Sequence, residues 1–131
     1  MTRDADRKLW ILTRLKHSLQ ALASSADLQC KLFPDFVCKA DELALDFDHW
    51  YLCAKTNYSD DLSETQKAAL SAVNNAFDLM SGLENKDCWT EDALHLRPEW
   101  EQIRVLARDT LGAFGWSLET PPSYASEFVR G

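Results

Sequence analysis

Only four glycines and four prolines occur in 131 residues, too few for the many tight turns of a β-sandwich or barrel. The glycines are isolated, so no Gly-rich loop is present to cradle a phosphate, and a nucleotide-binding enzyme is disfavoured. C-x-x-C pairs are missing too. Cys30, Cys38, Cys53 and Cys88 lie 8, 15 and 35 positions apart, and a chain of this size needs no disulfide framework. The thiols are expected to be reduced and to act as small core residues. There is no long apolar run, and Met1-Thr2-Arg3-Asp4-Ala5-Asp6-Arg7 opens with charges of both signs in place of the apolar stretch of a signal peptide. The expectation is a cytoplasmic protein with no membrane contact.

Positive charge is scarce beyond the first third of the chain. Residues 1–40 carry seven Lys/Arg against four Asp/Glu, whereas residues 41–131 carry seven against seventeen, which leaves the whole at −7. An acidic surface repels nucleic-acid phosphates and attracts basic partners. Nucleic acid is therefore not an expected partner, and Arg3, Arg7, Lys8, Arg14 and Lys16 read as the solvated side of an amphipathic helix. The five tryptophans have no positive groove to accompany them as base-stacking platforms. Trp10, Trp50 and Trp100 fall on apolar helix faces and are expected in the core.

What is present is helical periodicity, and the pattern predicts an all-α, single-domain bundle of four to five helices over residues 1–116, with an extended or flexible tail over 117–131. Leu12, Leu15, Leu19, Leu22 and Ala26 recur three and four apart and predict a helix from residue 4 to 24 or 25. Residues 28–37 read as a connection, because Pro34 restricts Phe33 and removes a donor; Phe33 and Phe36 are expected to plug the bundle end. A second helix starts near Pro34 or Cys38 and ends before Asn57. Ser63-Glu64-Thr65-Gln66 has the form of a capping box opening a third, whose apolar face is Ala69, Leu70, Val73, Ala76, Phe77 and Met80. Gly82-Leu83 resembles a Schellman stop, and residues 84–87 read as loop. Thr90 reads as the N-cap of a short turn to about Leu96. Pro98 fits the first position of a last helix that carries Trp100, Ile103, Leu106, Ala107, Thr110, Leu111 and Phe114 and ends at Gly115.

The second helix holds the candidate site. Ala40, Leu43, Ala44, Phe47, Trp50, Tyr51 and Ala54 share a core-facing arc of roughly 120°. Leu45 and Leu52, seven apart, fall outside it, with Asp41 and Asp48 on one flank and Glu42 and His49 on the other. Such a ridge is either a partner-binding face, with Asp41, Glu42, Asp46 and Asp48 supplying charge and Leu45 and Leu52 the anchors, or a second packing face that buries both leucines. Asp60, Asp61 and Glu64 extend the acidic patch.

Catalytic patterns are weak. Asp46 with His49 and Asp92 with His95 repeat Asp-x-x-His, but a four-helix di-metal site also needs inward carboxylates from the other two helices. The first helix has acids only at its ends, and Asp78 and Glu64 lie off the apolar face of the third, so no metal or other cofactor is expected. His49 and Cys53 are four apart, yet nothing marks the third group that Cys/His catalysis requires. The expectation is a protein that is not an enzyme.

The stretch Phe33-Pro34-Asp35-Phe36-Val37-Cys38-Lys39-Ala40-Asp41-Glu42-Leu43-Ala44-Leu45-Asp46-Phe47-Asp48-His49-Trp50, with Arg97-Pro98-Glu99-Trp100 and Gly115-Trp116, resembles small bacterial immunity proteins, in particular those of contact-dependent growth inhibition systems. The resemblance spans residues 33–116. It implies a cytoplasmic protein that binds and neutralises a cognate toxin domain, often a nuclease, with a basic surface. Immunity proteins have many unrelated folds and share no binding residues, so the site rests on this chain's own geometry. Two other readings stand beside it: a helical regulatory subunit that forms a homodimer through the leucines, and a small metalloenzyme using the Asp-x-x-His pairs. The inhibitor reading expects a monomer or weak homodimer.

Overall fold

A computed structural model describes residues 3–124, and its regular structure is entirely helical. The elements are α1 (Arg3–Ala23), α2 (Ala26–Lys31), α3 (Lys39–Tyr58), a 3-10 turn (Ser59–Asp61), α4 (Glu64–Leu79), a 3-10 segment (Leu83–Trp89), α5 (Glu91–Leu96) and α6 (Pro98–Phe114). Four long helices form the bundle: α1 packs between α3 and α6, and α4 packs on the other side of α6. The short α2 and α5 close one end. No described helix is long and apolar enough to cross a membrane.

The apolar stripes face inward as their spacing dictates. Leu15, Leu19 and Leu22 of α1, Leu43 and Phe47 of α3, Leu70 and Val73 of α4, and Trp100, Ile103 and Leu111 of α6 are all buried. Each such side chain removed from water contributes about 1.5–3 kcal/mol before entropy is counted. Trp100 is fully enclosed, and its indole Nε1 donates to the Cys88 carbonyl at 2.7 Å, which satisfies the polar atom that burial would otherwise strand.

Local capping chemistry sets most of the helix ends. At α4 the capping box forms in full: Gln66 N donates to Ser63 Oγ at 3.0 Å and Ser63 N to Gln66 Oε1 at 2.9 Å. Thr90 Oγ1 accepts from Ala93 N at the start of α5, and Pro98 opens α6. The Schellman stop lies at Gly115 and not at Gly82. Gly115 is left-handed (φ 70°, ψ 24°) and Trp116 N donates to Leu111 O at 2.9 Å, the six-to-one bond of that motif. Gly82, at φ 100° and ψ 159°, is extended with positive φ and leads α4 into the 3-10 segment where a loop was expected.

Several expectations need correction. Residues 26–31 form α2 and not a plain connection, because Ser25 caps them through Leu28 N. Phe33 is buried, but Phe36 is 72% exposed and plugs nothing. Trp10 is 55% exposed; it meets Trp50 edge-on at 6.1 Å, with the Arg14 guanidinium 5.4 Å from one ring and 5.2 Å from the other. Of the cysteines only Cys88 is buried; Cys30 and Cys53 are partly so, Cys38 is exposed, and all four are free thiols.

Two long-range ties complete the frame. Gln29, fully buried, donates from Nε2 to the Ala21 and Leu22 carbonyls at 3.1 Å each, and its Oε1 accepts from Arg104 Nη1 at 3.3 Å. Arg104 also donates to the Leu94 carbonyl and pairs with Glu101. This network satisfies carbonyls at the end of α1 that have no helical partner. Residues 117–124 are extended, as Pro121-Pro122 predicts, and fold back on the bundle. Tyr124 N donates to Leu32 O at 2.8 Å and its ring stacks on Phe33 at 4.7 Å; residues 125–131 of the expected tail lie outside the described residues.

Candidate partner-binding face

Ala40, Leu43, Phe47 and Ala54 of α3 are buried, and Ala44, Trp50 and Tyr51 flank them half-buried. The opposite crest faces solvent. Leu45 is 61% exposed and Leu52 57%, so the second-packing alternative fails for both. Asp41, Asp48 and His49 are exposed on the same crest, and Glu42 is half-buried on its flank. Two large apolar side chains held outward among acids contribute nothing to the core, and each retains about 1–2 kcal/mol of burial free energy for a partner to realise.

Leu45 stands between two hollows. On the α4 side, a hollow of about 520 Å³ is lined by Asp41, Ala44, Leu45, Ser81, Gly82, Lys86 and Trp89. On the α1 side, one of about 260 Å³ is lined by Arg14, Phe33, Glu42, Leu45, Asp46, His49, Trp50 and Tyr124. The aromatic wall of the first is fixed in place. Trp89 Nε1 donates to Met80 O at 2.8 Å, and its ring lies 6.3 Å from Phe77 and 5.7 Å from Trp100. Cys38 Sγ donates to Trp89 O at 3.4 Å and ties that segment to the start of α3. Of the lining residues, Lys86 falls in the stretch 84–87 read as loop, Ser81 just before the expected stop at Gly82, and nothing in the sequence sets Trp89 beside Leu45.

The acidic residues do not form one continuous patch. Asp46 is half-buried and already engaged, with Oδ1 accepting from Trp50 Nε1 at 3.1 Å and Oδ2 from the Tyr124 hydroxyl at 2.9 Å. It anchors the returning segment and is a poor candidate for a partner contact. Asp60 and Asp61 lie past the end of α3, about 15 Å or more along the axis from Asp48, and Asp61 pairs with Lys8 at 3.1 Å. Glu64 faces Lys67 at 3.5 Å one turn on. The face therefore consists of Asp41, Leu45, Asp48, His49 and Leu52, with Glu42 at its edge.

No protein-family model matches this chain, no curated protein matches it, and no solved structure matches it. The face stands on its own chemistry.

The nucleophile and metal patterns also resolve. His49 Nε2 lies 3.9 Å from Cys53 Sγ and its ring meets Trp50 edge-on at 4.5 Å. His95 meets α2: its Nε2 is 3.6 Å from Cys30 Sγ and its Nδ1 3.7 Å from Asp27. This Cys/His/Asp arrangement, which joins residues from α2 and α5, had no local signature. Burial first, and the Glu91 carboxylate second, push the Cys30 thiol above its ordinary pKa, the reverse of what a nucleophile needs. Nearby, Lys39 Nζ donates to Glu91 at 2.9 Å, and that bond raises the lysine's pKa. Among the described residues no three His, Cys, Asp or Glu side chains gather as a metal site would require. Asp46, His49 and His95 each make contacts of their own.

Proposed function

We propose that this protein is a non-enzymatic cytoplasmic inhibitor that binds a cognate toxin domain through the crest of α3, as an immunity protein does. The observation that carries the reading is the outward exposure of Leu45 and Leu52 between Asp41, Asp48 and His49. Acids around apolar anchors suit a basic target such as a nuclease cleft. Charge speeds encounter, while the desolvated leucines set residence time. The charge excess of −10 over residues 41–131 supports the same division of labour.

The test takes the toxin domain that this reading expects to be encoded beside the protein, and follows its association with wild type and with Asp41→Lys/Asp48→Lys. Both aspartates are exposed, so the thermal transition should hold. The association rate should fall about tenfold at low salt and converge with wild type at high salt. Unchanged kinetics would remove the crest from the interface, and failure of the protein to protect cells producing the toxin domain would remove the inhibitor reading.

A further inference from the structure

The hollows beside Leu45 each have an acid on their walls: Asp41 in one, Glu42 and Asp46 in another, Asp48 and Asp78 in a third. A separate cavity of about 220 Å³ has none. It lies at the corner where α3 ends and α4 begins, lined by Tyr51 and Lys55 of α3, Ser59 and Leu62 from the turn between the helices, and Lys67 and Ser71 from the first two turns of α4. None of these residues belongs to the crest.

In a chain of net charge −7, two lysines share this cavity with no carboxylate among its lining residues. Lys55 Nζ sits 5.7 Å from the centroid of the Tyr51 ring, over its face. Lys67 has one weak partner, Glu64 Oε1 at 3.5 Å, on a side chain that is 94% exposed. The hydroxyls of Ser59 and Ser71, both half-buried residues, make no hydrogen bond among the described residues. Two ammonium groups and two hydroxyls therefore line one cavity with little to accept from them. The half-buried Tyr51 ring and the nearly buried Leu62 supply its apolar surface.

The two kinds of surface restrict the ligand. A bare inorganic ion would meet the ammonium groups but leave the Tyr51 ring and Leu62 against its hydration shell, and a neutral apolar molecule would desolvate four donor groups without bonding them. A volume below the roughly 300 Å³ at which drug-sized sites begin limits the occupant to a small molecule. We propose that the α3–α4 corner binds a small organic carboxylate, with its anion between Lys55 and Lys67, the serine hydroxyls donating to it, and its apolar body against Tyr51 and Leu62. The site goes beyond the inhibitor reading and does not depend on it. A ligand held there spans the end of one helix and the start of the next, and stabilises the fold by mass action.

Phenylacetate, its neutral counterpart phenylacetamide and inorganic phosphate test it, each titrated into the full chain at low salt while amide chemical shifts report the site. Phenylacetate should bind saturably, with shifts gathered within residues 51–71. It should bind about tenfold more tightly than phenylacetamide, the size of effect that two exposed charge contacts together supply, and high salt should close that gap. Lys55→Gln/Lys67→Gln, at two side chains that reach solvent, should leave the thermal transition in place and bring the two ligands to equal affinity. No saturable binding, equal affinity for the acid and the amide in wild type, phosphate binding as tightly as phenylacetate, shifts centred elsewhere, or a gap that survives the loss of both lysines would each overturn the proposal.

Discussion

The α1–α6 side of the bundle and the α3–α4 seam are both contacts between antiparallel helices, yet they are built from different residues. On the first side, Leu15, Leu19 and Leu22 meet a helix carrying Ile103, Ala107 and Leu111, and the Gln29–Arg104 network locks the end. Along the second, Phe47 and Phe77 meet at 6.0 Å and are buried, while the outer crest of α3 leaves Leu45 and Leu52 in solvent. Interlocking large side chains produce stability; leucines turned away from the core keep their apolar area free for a partner. The comparison suggests that the fold's stability and its binding capacity reside on opposite sides, and that the two can be altered independently.

Breaking the closed side should have the largest effect. Trp100→Ala removes the largest fully buried side chain and the donor to the Cys88 carbonyl, and should cost about 3–5 kcal/mol in urea unfolding. Arg104→Met strands Gln29 Oε1 and the Leu94 carbonyl, and should cost about 2 kcal/mol by the same measurement. Ser63→Ala opens the capping box at the start of α4 and should cost about 1 kcal/mol, read as a fall in the denaturation midpoint without a change in slope. Leu45→Ala and Leu52→Ala, on the open side, should each shift stability by less than about 0.5 kcal/mol. A fall comparable to that of Ser63→Ala would mean that the crest is structural after all.

His17, on α1 beside Trp10, Arg14 and Tyr124, gives a smaller test through pH. Burial first, then Lys16 and Arg14, lower its pKa below 6.5 in the folded chain. The unfolded chain therefore takes up this proton first as pH falls. Stability should begin to decline below about pH 6.5 and continue to do so down through the folded-state pKa. His17→Gln should remove that part of the acid dependence, as thermal melts between pH 7 and pH 5 would show.

Much of the closed side was legible because its signals are local. A serine three residues before a glutamine, a proline at a first turn and leucines three and four apart each act within one or two helical turns. The α3 arc was legible for the same reason: angular position alone sends Leu43 and Phe47 inward. What escaped were features fixed by distant partners. Asp46 looks like any ridge acid until Tyr124, 78 positions away, donates to it. Gly82 and Gly115 are both followed by an apolar residue, and only the left-handed conformation at Gly115 separates the true Schellman stop from the extended turn. Trp10 lies on the apolar side of α1 by spacing, but it packs against Trp50 and Arg14 at the margin of the core. Periodicity also indicates which side of a helix is apolar without fixing how closely its neighbour approaches, so the hollows on either side of Leu45 had no sequence signature. The exposure of Leu45 and Leu52 follows from it only in part, through their position opposite the core arc.

The central claim is that these two leucines serve a partner and not the fold. Affinity for the proposed toxin partner and thermal stability, measured side by side on Leu45→Ala/Leu52→Ala, test it most directly. The account predicts a melting temperature within a degree or two of wild type and an affinity weakened by about a hundredfold, mainly through faster dissociation. Unchanged affinity, or a loss of affinity that merely tracks a loss of fold, would contradict it.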